Sequence, residues 1–287
     1  MLSTARRLSF IPTVRRAYLF VLMSLTNLWS RRSVRGGSPA VVSLTTYGPR
    51  VSSVHLTIES IARGKARPRK LILWLDSEAD LDAAVKSPGL ARLRRRGLEI
   101  RRSEPMGPHG KYYPYVASEY GHALPLATAD DDILYPRSWL VGLVAAQTQD
   151  PSSIHCYRAH RIGLIGNKMA PYMSWVPVKG TAPSHRNFLT GVSGVIYPTE
   201  YLDFLHQKGE AFRAVAPKAD DVWLNACAVE AGFRVSQIRE NALFFSVIPG
   251  SQRVALWRHN VGGNDPQIDR AYTPPILSAV LEDGREK

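Results

Sequence analysis

The sequence predicts an α/β fold: one principal domain with a mixed, mostly parallel central sheet flanked by helices. Three observations predict it. Strand, helix and strand patterns follow one another between Ala40 and Leu75, the unit whose crossover forces parallel pairing. Apolar runs of strand length then keep alternating with helix-like periods as far as Asp130. Finally, 45% hydrophobic and 21% charged residues describe a globular chain and exclude a disordered or low-complexity one.

Residues 1–38 read as a basic N-terminal segment. Arg6, Arg7, Arg15, Arg16, Arg31, Arg32 and Arg35 stand there without a single acid, so of the net charge of +13 only +6 remains on the 250 residues after position 37. Ala17 to Trp29 is an apolar stretch of 13 residues between these arginines. A helix needs about 20 to cross a bilayer, and no small-residue cleavage site follows. An interfacial helix, apolar side in the acyl boundary and arginines on anionic headgroups, accounts for both features; a helix docked on the core is the alternative. The interfacial reading makes an anionic membrane surface a partner of residues 1–37. It also places the chain in the cytoplasm, peripheral at the inner face of the cell membrane. No aromatic-interleaved basic motif points to nucleic acid, so none is expected as a partner. Cys156 and Cys227, in apolar surroundings, predict two buried thiols rather than a disulfide.

Gly36, Gly37 and Pro39 mark a linker, after which the main domain is expected over 39–265. Ala40 to Thr46 predicts a buried strand, Val54 to Ala62 a helix, and Leu71 to Leu75 a second strand. A basic helix over 80–96, a short strand at 98–101, a loop at 105–110 and a helix over 114–122 follow. A further strand runs from Leu124 into Asp130. Beyond Pro136 the pattern predicts a helix over 139–147, a strand over 153–157, a loop-rich stretch over 162–183 and a strand over 194–197. Helices are expected around 200–206 and 220–231, and residues 266–287 read as a C-terminal tail.

The strongest chemical signal is Asp130, Asp131 and Asp132 at the end of an apolar strand. Three adjacent carboxylates repel one another, and a hard divalent cation, Mg2+ or Mn2+, offsets that repulsion while phosphates and water complete its ligand shell. Strand alternation would put Asp130 and Asp132 on one side and Asp131 on the other. The bland reading is a solvated acidic turn. Asp220 and Asp221 open a later apolar helix, either as N-caps for free amides or as a general base. Lys111, beside the turn Gly107 to Gly110, suits a phosphate or a leaving diphosphate, or is a solvated lysine.

These elements resemble the family 2-like glycosyltransferases with a GT-A fold, over roughly residues 39–265. The resemblance implies a single GT-A-like domain and a metal-dependent transferase that moves a sugar, by inversion, from a nucleotide-sugar donor, a UDP-sugar first, to an acceptor hydroxyl. The acceptor class it implies is a glycan or a lipid-linked intermediate, in cell-surface polysaccharide or glycolipid synthesis. Asp130 and Asp132 map onto the family's Asp-x-Asp element, bridging the donor diphosphate through the cation, with Asp131 at the donor. Thr45, Thr46 and Tyr47 map onto the base and ribose site, with Asp76 at the end of the second strand, where a single acid stands in place of the usual pair. Asp221 maps onto the general base, with Asp220 as its alternative. Gly191, Ser193 and Gly194 resemble the acceptor-side turn, where small residues allow close approach. His259 lies where such enzymes place a third metal ligand or a lid. Two other readings use the same carboxylates or none of their chemistry: a metal-dependent nucleotidyltransferase or phosphohydrolase, and a catalytically inactive sugar-binding module.

Overall fold

The computed structural model describes the backbone of residues 2–118, 121–250 and 263–283, with side chains from residue 15 onward. The strands of the central sheet are β1 (Ser38–Thr45), β2 (Pro68–Leu75), β3 (Glu99–Arg102) and β4 (Leu126–Thr128). After the short β5 (Ile133–Leu134) come β6 (Ser153–Cys156), β7 (Ala159–Arg161), β8 (Leu164–Ile165), β9 (Lys168–Met169) and β10 (Val176–Pro177). The set closes with β11 (Asn187–Leu189), β12 (Val195–Tyr197), β13 (Arg234–Gln237) and β14 (Ser246–Val247). Seven of these form one sheet in the order β13-β6-β12-β4-β1-β2-β3. All its neighbours run parallel except β12, which is antiparallel to both β4 and β6, so the sheet is mixed and mostly parallel as expected.

Helices cover both faces: α1 (Leu2–Trp29), α2 (Val54–Ala62), α3 (Glu78–Lys86), α4 (Pro88–Arg95), α5 (Tyr113–Ser118) and α6 (Trp139–Gln149). The second half adds α7 (Thr199–Lys208), α8 (Phe212–Val215), α9 (Asp220–Glu230), α10 (Asp265–Ala271) and α11 (Pro274–Glu282). One apolar cluster joins Val42, Leu44, Leu71 and Leu73 to Ile58 and Ile61 of α2. The other joins Val41 and Leu126 to the Tyr197, Tyr201 and Leu224 side. The inner strands are buried on both faces, which is why β1 and β2 read as continuous apolar runs.

Three local differences from the sequence reading have physical causes. The single helix expected over 80–96 is two, because Pro88 has no N–H to continue α3. Ser87, with ψ of 112°, leaves the helical region and accepts a hydrogen bond from Leu90 N at 3.3 Å as the cap of α4. The stretch expected as a tail folds into α10 and α11, which bury Ile268, Ala271, Ile276 and Val280 against the core that holds α9. The N-terminal segment is a helix of 28 residues whose C-terminal half is docked. Met23 packs with Leu56, Leu134 and Ile248, and Asn27 donates to Glu59 Oε2 at 3.3 Å and to the Gly89 carbonyl at 3.2 Å. No helix among the described residues is long and apolar enough to cross a membrane. Both cysteines are free and buried, as the sequence indicated.

Candidate active site

Register gathers the site. β1 pairs with β2 so that Thr45 lies opposite Trp74, and with β4 so that Ser43 lies opposite Thr128. The same offsets carried past the strand ends bring Thr46 and Asp131 to one level at the carboxyl edge, with Asp76 one residue beyond it, where open α/β sheets bind ligands. On the far side of β4, antiparallel β12 begins opposite Thr128, which delivers the preceding turn, Gly191 to Gly194, to the same edge.

A cavity of about 620 Å³ opens there, lined by Thr45, Tyr47, Arg50, Asp76, Gly107, Lys111, the three aspartates and Val192, among others. The size suits a nucleotide-sized ligand. Thr45 Oγ1 donates to the Trp74 carbonyl at 3.2 Å and sits 3.3 Å from where a Cβ on Gly110 would fall, so glycine there lets the Gly107–Lys111 turn close on β1. Asp76 is pushed upward by burial and by the nearby Asp80 carboxylate.

The acidic run is a turn, not an extended segment, so strand alternation does not sort its side chains. Its backbone is held at three points. Tyr135 Oη accepts from Asp130 N at 2.9 Å, Thr57 Oγ1 donates to the Asp131 carbonyl at 2.9 Å, and Ile248 N donates to the Asp132 carbonyl at 2.7 Å. The last of these bonds ties the turn to the segment after β14.

The side chains divide by counter-charge. Asp131, 5% exposed, accepts from Thr46 Oγ1 at 2.6 Å and from Arg50 Nη1 at 2.7 Å, and Arg50 Nη2 lies 3.4 Å from Asp132. Asp130 instead faces Lys111, whose Nζ is 3.5 Å away. Burial pushes Asp131 up to about 6, with Asp132 and Asp130 adding to the shift and Arg50 and Thr46 opposing it. Burial works against the charge on Arg50, but Asp131 and Asp132 outweigh it and hold the guanidinium firmly ionised.

Lys111 joins this turn to the second acidic pair. Its Nζ lies 2.9 Å from Asp220 Oδ2 at the start of α9, and the carboxylates raise its pKa well above the ordinary lysine value despite burial. Asp221 Oδ1 accepts from Gly191 N at 2.9 Å, and its pKa is pushed up to about 7, first by burial, then by Asp220, against Lys111 and the Gly191 N–H. A Cβ on Gly191 would stand 2.5 Å from Lys111 Nζ and 3.0 Å from Asp221 Oδ1, so the bare backbone is what leaves room for both side chains at this turn. Ser193 and Gly194 serve the turn from behind. Ser193 has φ of 76° and donates to the Leu243 carbonyl at 2.7 Å, while a Cβ on Gly194 would strike the Trp139 ring.

The structure therefore brings together Thr45, Thr46, Tyr47, Asp76, Lys111, Asp130, Asp131, Asp132, Asp220, Asp221 and Gly191. Ser193 and Gly194 sit one layer back, and His259 lies outside the described residues. Sequence reasoning missed Arg50. Its one signal was the Gly48-Pro49 turn directly after β1, which returns the chain over the strand end.

A divalent cation can be tested against this donor set. Among the described residues no group of three or more His, Cys, Asp or Glu side chains forms a metal-holding cluster. Magnesium and manganese nevertheless need only one or two protein carboxylates where phosphates and water supply the rest. Asp130 keeps 26% of its side chain exposed toward the cavity, and Asp132 lines the same wall. Two hard oxygen donors beside a space for phosphates fit such an ion.

The seven-stranded mixed sheet, with helices on both faces and antiparallel β12 inserted between β4 and β6, is a GT-A-like fold. The chain is similar in structure to the mannosyltransferase PcManGT from Pyrobaculum calidifontis in complex with GDP-Man and Mn2+, with a TM-score of 0.51 and 12% identity over 96% of this chain and 79% of that one. It also matches S. aureus TarS 1-349, at a TM-score of 0.45 and 15% identity over 72% of this chain and 59% of that one. A third match is a CMP:2-keto-3-deoxy-manno-octonic acid synthetase complexed with CTP, at a TM-score of 0.42 and 10% identity over 79% and 100% of the two chains. No protein-family model matches the sequence, and no curated protein matches it.

Proposed function

We propose that the protein is a metal-dependent glycosyltransferase that moves a sugar from a nucleoside-diphosphate donor to an acceptor hydroxyl with inversion at the anomeric carbon. The observation that carries this reading is the place of Lys111, 3.5 Å from Asp130 on the donor side and 2.9 Å from Asp220 on the other. One cation is shared between a cavity of nucleotide size and a pair of carboxylates at a helix start, and a displacement reaction needs that juxtaposition.

The donor base and ribose would occupy the end of β1 around Thr45, Thr46 and Tyr47, with Asp76 opposite. Asp130 and Asp132 would hold a divalent cation, which supplies Lewis-acid neutralisation of the departing diphosphate. The Lys111 ammonium donates to the leaving phosphate oxygen and moves away from Asp130 as it does so. Asp220 stays engaged with Lys111, so the base is Asp221. The Gly191 N–H occupies Asp221 Oδ1 and leaves Oδ2 to take the proton of the attacking hydroxyl. A carboxylate whose pKa lies near neutrality is well matched to that transfer.

The GDP-Man and Mn2+ bound by the similar mannosyltransferase make GDP-sugars worth testing beside UDP-sugars. Thermal denaturation is followed with a panel of both, with and without manganese, and each responding donor is then assayed for release of the nucleoside diphosphate. Metal-dependent stabilisation by one donor, lost in Asp132→Ala, supports the reading. Release of pyrophosphate from a nucleoside triphosphate, or no response to any nucleotide, counts against it.

The acceptor in this reading is a glycan or a lipid-linked intermediate at a membrane face. Tyr18, Val21, Leu25 and Leu28 recur at helical spacing on the exposed side of α1, Trp29 beside them is 81% exposed, and Arg15, Arg16, Arg31 and Arg32 flank them. An apolar face bordered by arginines suits an anionic lipid surface. Co-sedimentation with vesicles containing phosphatidylglycerol, but not with pure phosphatidylcholine vesicles, is the expected result.

A further inference from the structure

Outside the lining of the donor cavity, at the strand end that precedes Gly191, stands an arginine-centred cluster that the proposed chemistry does not use. Arg158, in the short link between β6 and β7, extends its guanidinium to the strand end next to Gly191. Its Nη1 donates to Thr190 Oγ1 at 3.4 Å, and its Nη2 donates to His160 Nε2 at 3.0 Å. The guanidinium carbon also lies 5.3 Å from the centre of the Phe244 ring, which is 72% exposed. Among the described residues no carboxylate lies within ion-pair distance of Arg158. That is unusual for a half-buried arginine, since a charge removed from water is ordinarily paired.

Because an arginine can only donate, His160 Nε2 must accept, which leaves the imidazole neutral with its proton on Nδ1. Burial, followed by the Arg158 charge, lowers His160 to about 4 and keeps it neutral. His160 Nδ1 and Arg158 Nε are both buried without a partner. The cluster is thus dominated by donors beside a full positive charge. Tyr172, whose ring centre is 6.3 Å from that of His160, completes the cluster, and Thr190, which Arg158 holds, directly precedes Gly191, whose N–H donates to Asp221 Oδ1 at 2.9 Å. Neither Arg158, His160, Tyr172 nor Phe244 lines the donor cavity.

We infer that the acceptor is anionic, and that Arg158 pairs with a phosphate ester or carboxylate on it while the exposed Phe244 ring carries an adjoining sugar. A guanidinium fork matches either oxyanion, and the apolar face of a pyranose packs on an aromatic ring. This inference rests on the reading of Asp221 as the base that faces the acceptor.

The test separates the two ideas by filling the donor site first. With a saturating nucleoside diphosphate and manganese present, saturation-transfer NMR is recorded for three probes on one skeleton: methyl glucoside, methyl glucoside 6-phosphate and methyl glucuronide. The expected result is a Kd lower by about tenfold or more for at least one charged probe than for the neutral one. That advantage disappears in Arg158→Gln and survives in part in Arg158→Lys. Preference for the phosphate or for the uronate tells which oxyanion is recognised. Unchanged stabilisation of Arg158→Gln by the nucleotide shows that the variant is folded with an intact donor site. If both charged probes bind no better than methyl glucoside, or if their advantage persists in Arg158→Gln, the inference is overturned. If the wild-type protein is not stabilised by any nucleoside diphosphate, it is the transferase reading that falls.

Discussion

Asp221→Asn should abolish most sugar transfer while leaving the donor site intact. The substitution keeps the shape of the side chain and the oxygen that accepts from Gly191 N at 2.9 Å, but removes the ability to take a proton. A positioned general base contributes about 10²–10⁴-fold, so a loss in kcat of at least about a hundredfold is expected. The wild-type pH profile provides an independent reading. Burial and Asp220 hold Asp221 near 7, and the base must be ionised to act, so turnover should rise with pH and level off above about 7. Below that point each pH unit costs roughly tenfold, and at pH 5 about one hundredth of the plateau should remain. The assay is release of nucleoside diphosphate in the presence and absence of acceptor, with binding of the donor followed separately by thermal denaturation. A profile flat between pH 5 and 8, or an Asp221→Asn enzyme within tenfold of wild type, would refute the assignment. Equal loss of donor binding in the variant would show that Asp221 serves the donor instead.

Four further outcomes follow from the geometry. In Gly191→Ala the new Cβ would stand 2.5 Å from Lys111 Nζ, so the ammonium must leave its place between Asp130 and Asp220; transfer should fall by about tenfold or more, the cost of one charge-assisted hydrogen bond, with little change in Tm. Arg50→Ala leaves Asp131, 5% exposed, without its guanidinium, and the loss of one partner from a buried pair should cost about 3 kcal/mol in urea denaturation. Asp130→Ala should remove the manganese dependence of donor binding measured by calorimetry, whereas a variant that keeps full manganese dependence would show that the ion is held elsewhere. Val21→Glu combined with Leu25→Glu changes two exposed positions of α1 and should abolish vesicle binding without lowering Tm, whereas deletion of residues 1–30 should lower Tm because it uncovers Leu56, Leu134 and Ile248.

What the sequence determined by itself was whatever depends on neighbours in the chain. The apolar runs of β1 and β2, the 3.6-residue period of α2, and the glycine and proline breaks are local signals, and they reproduced the α/β alternation closely, with α2 spanning Val54–Ala62 as expected. The acidic turn after β4 and the pair that opens α9 were legible because consecutive carboxylates are costly and therefore conspicuous. The break at Ser87-Pro88 had a local signal as well, since proline and its preceding serine form a helix stop and start, but the basic, apolar period over 80–96 read as one helix and hid it. Only the tertiary structure decided which charges neutralise which. Arg50 meets Asp131 across 81 positions, and no periodicity links them. Lys111 meets Asp220 only because register sets the ends of β1, β4 and β12 at one edge of the sheet, with α9 beside them. Arg158 is one basic residue among many in the sequence, and becomes distinctive only when the fold places it beside Thr190 with no carboxylate among the described residues within ion-pair distance. Pattern reports burial and backbone state, which are properties of a few consecutive residues, whereas the pairing of distant charges depends on strand register and crossover, which the whole core sets.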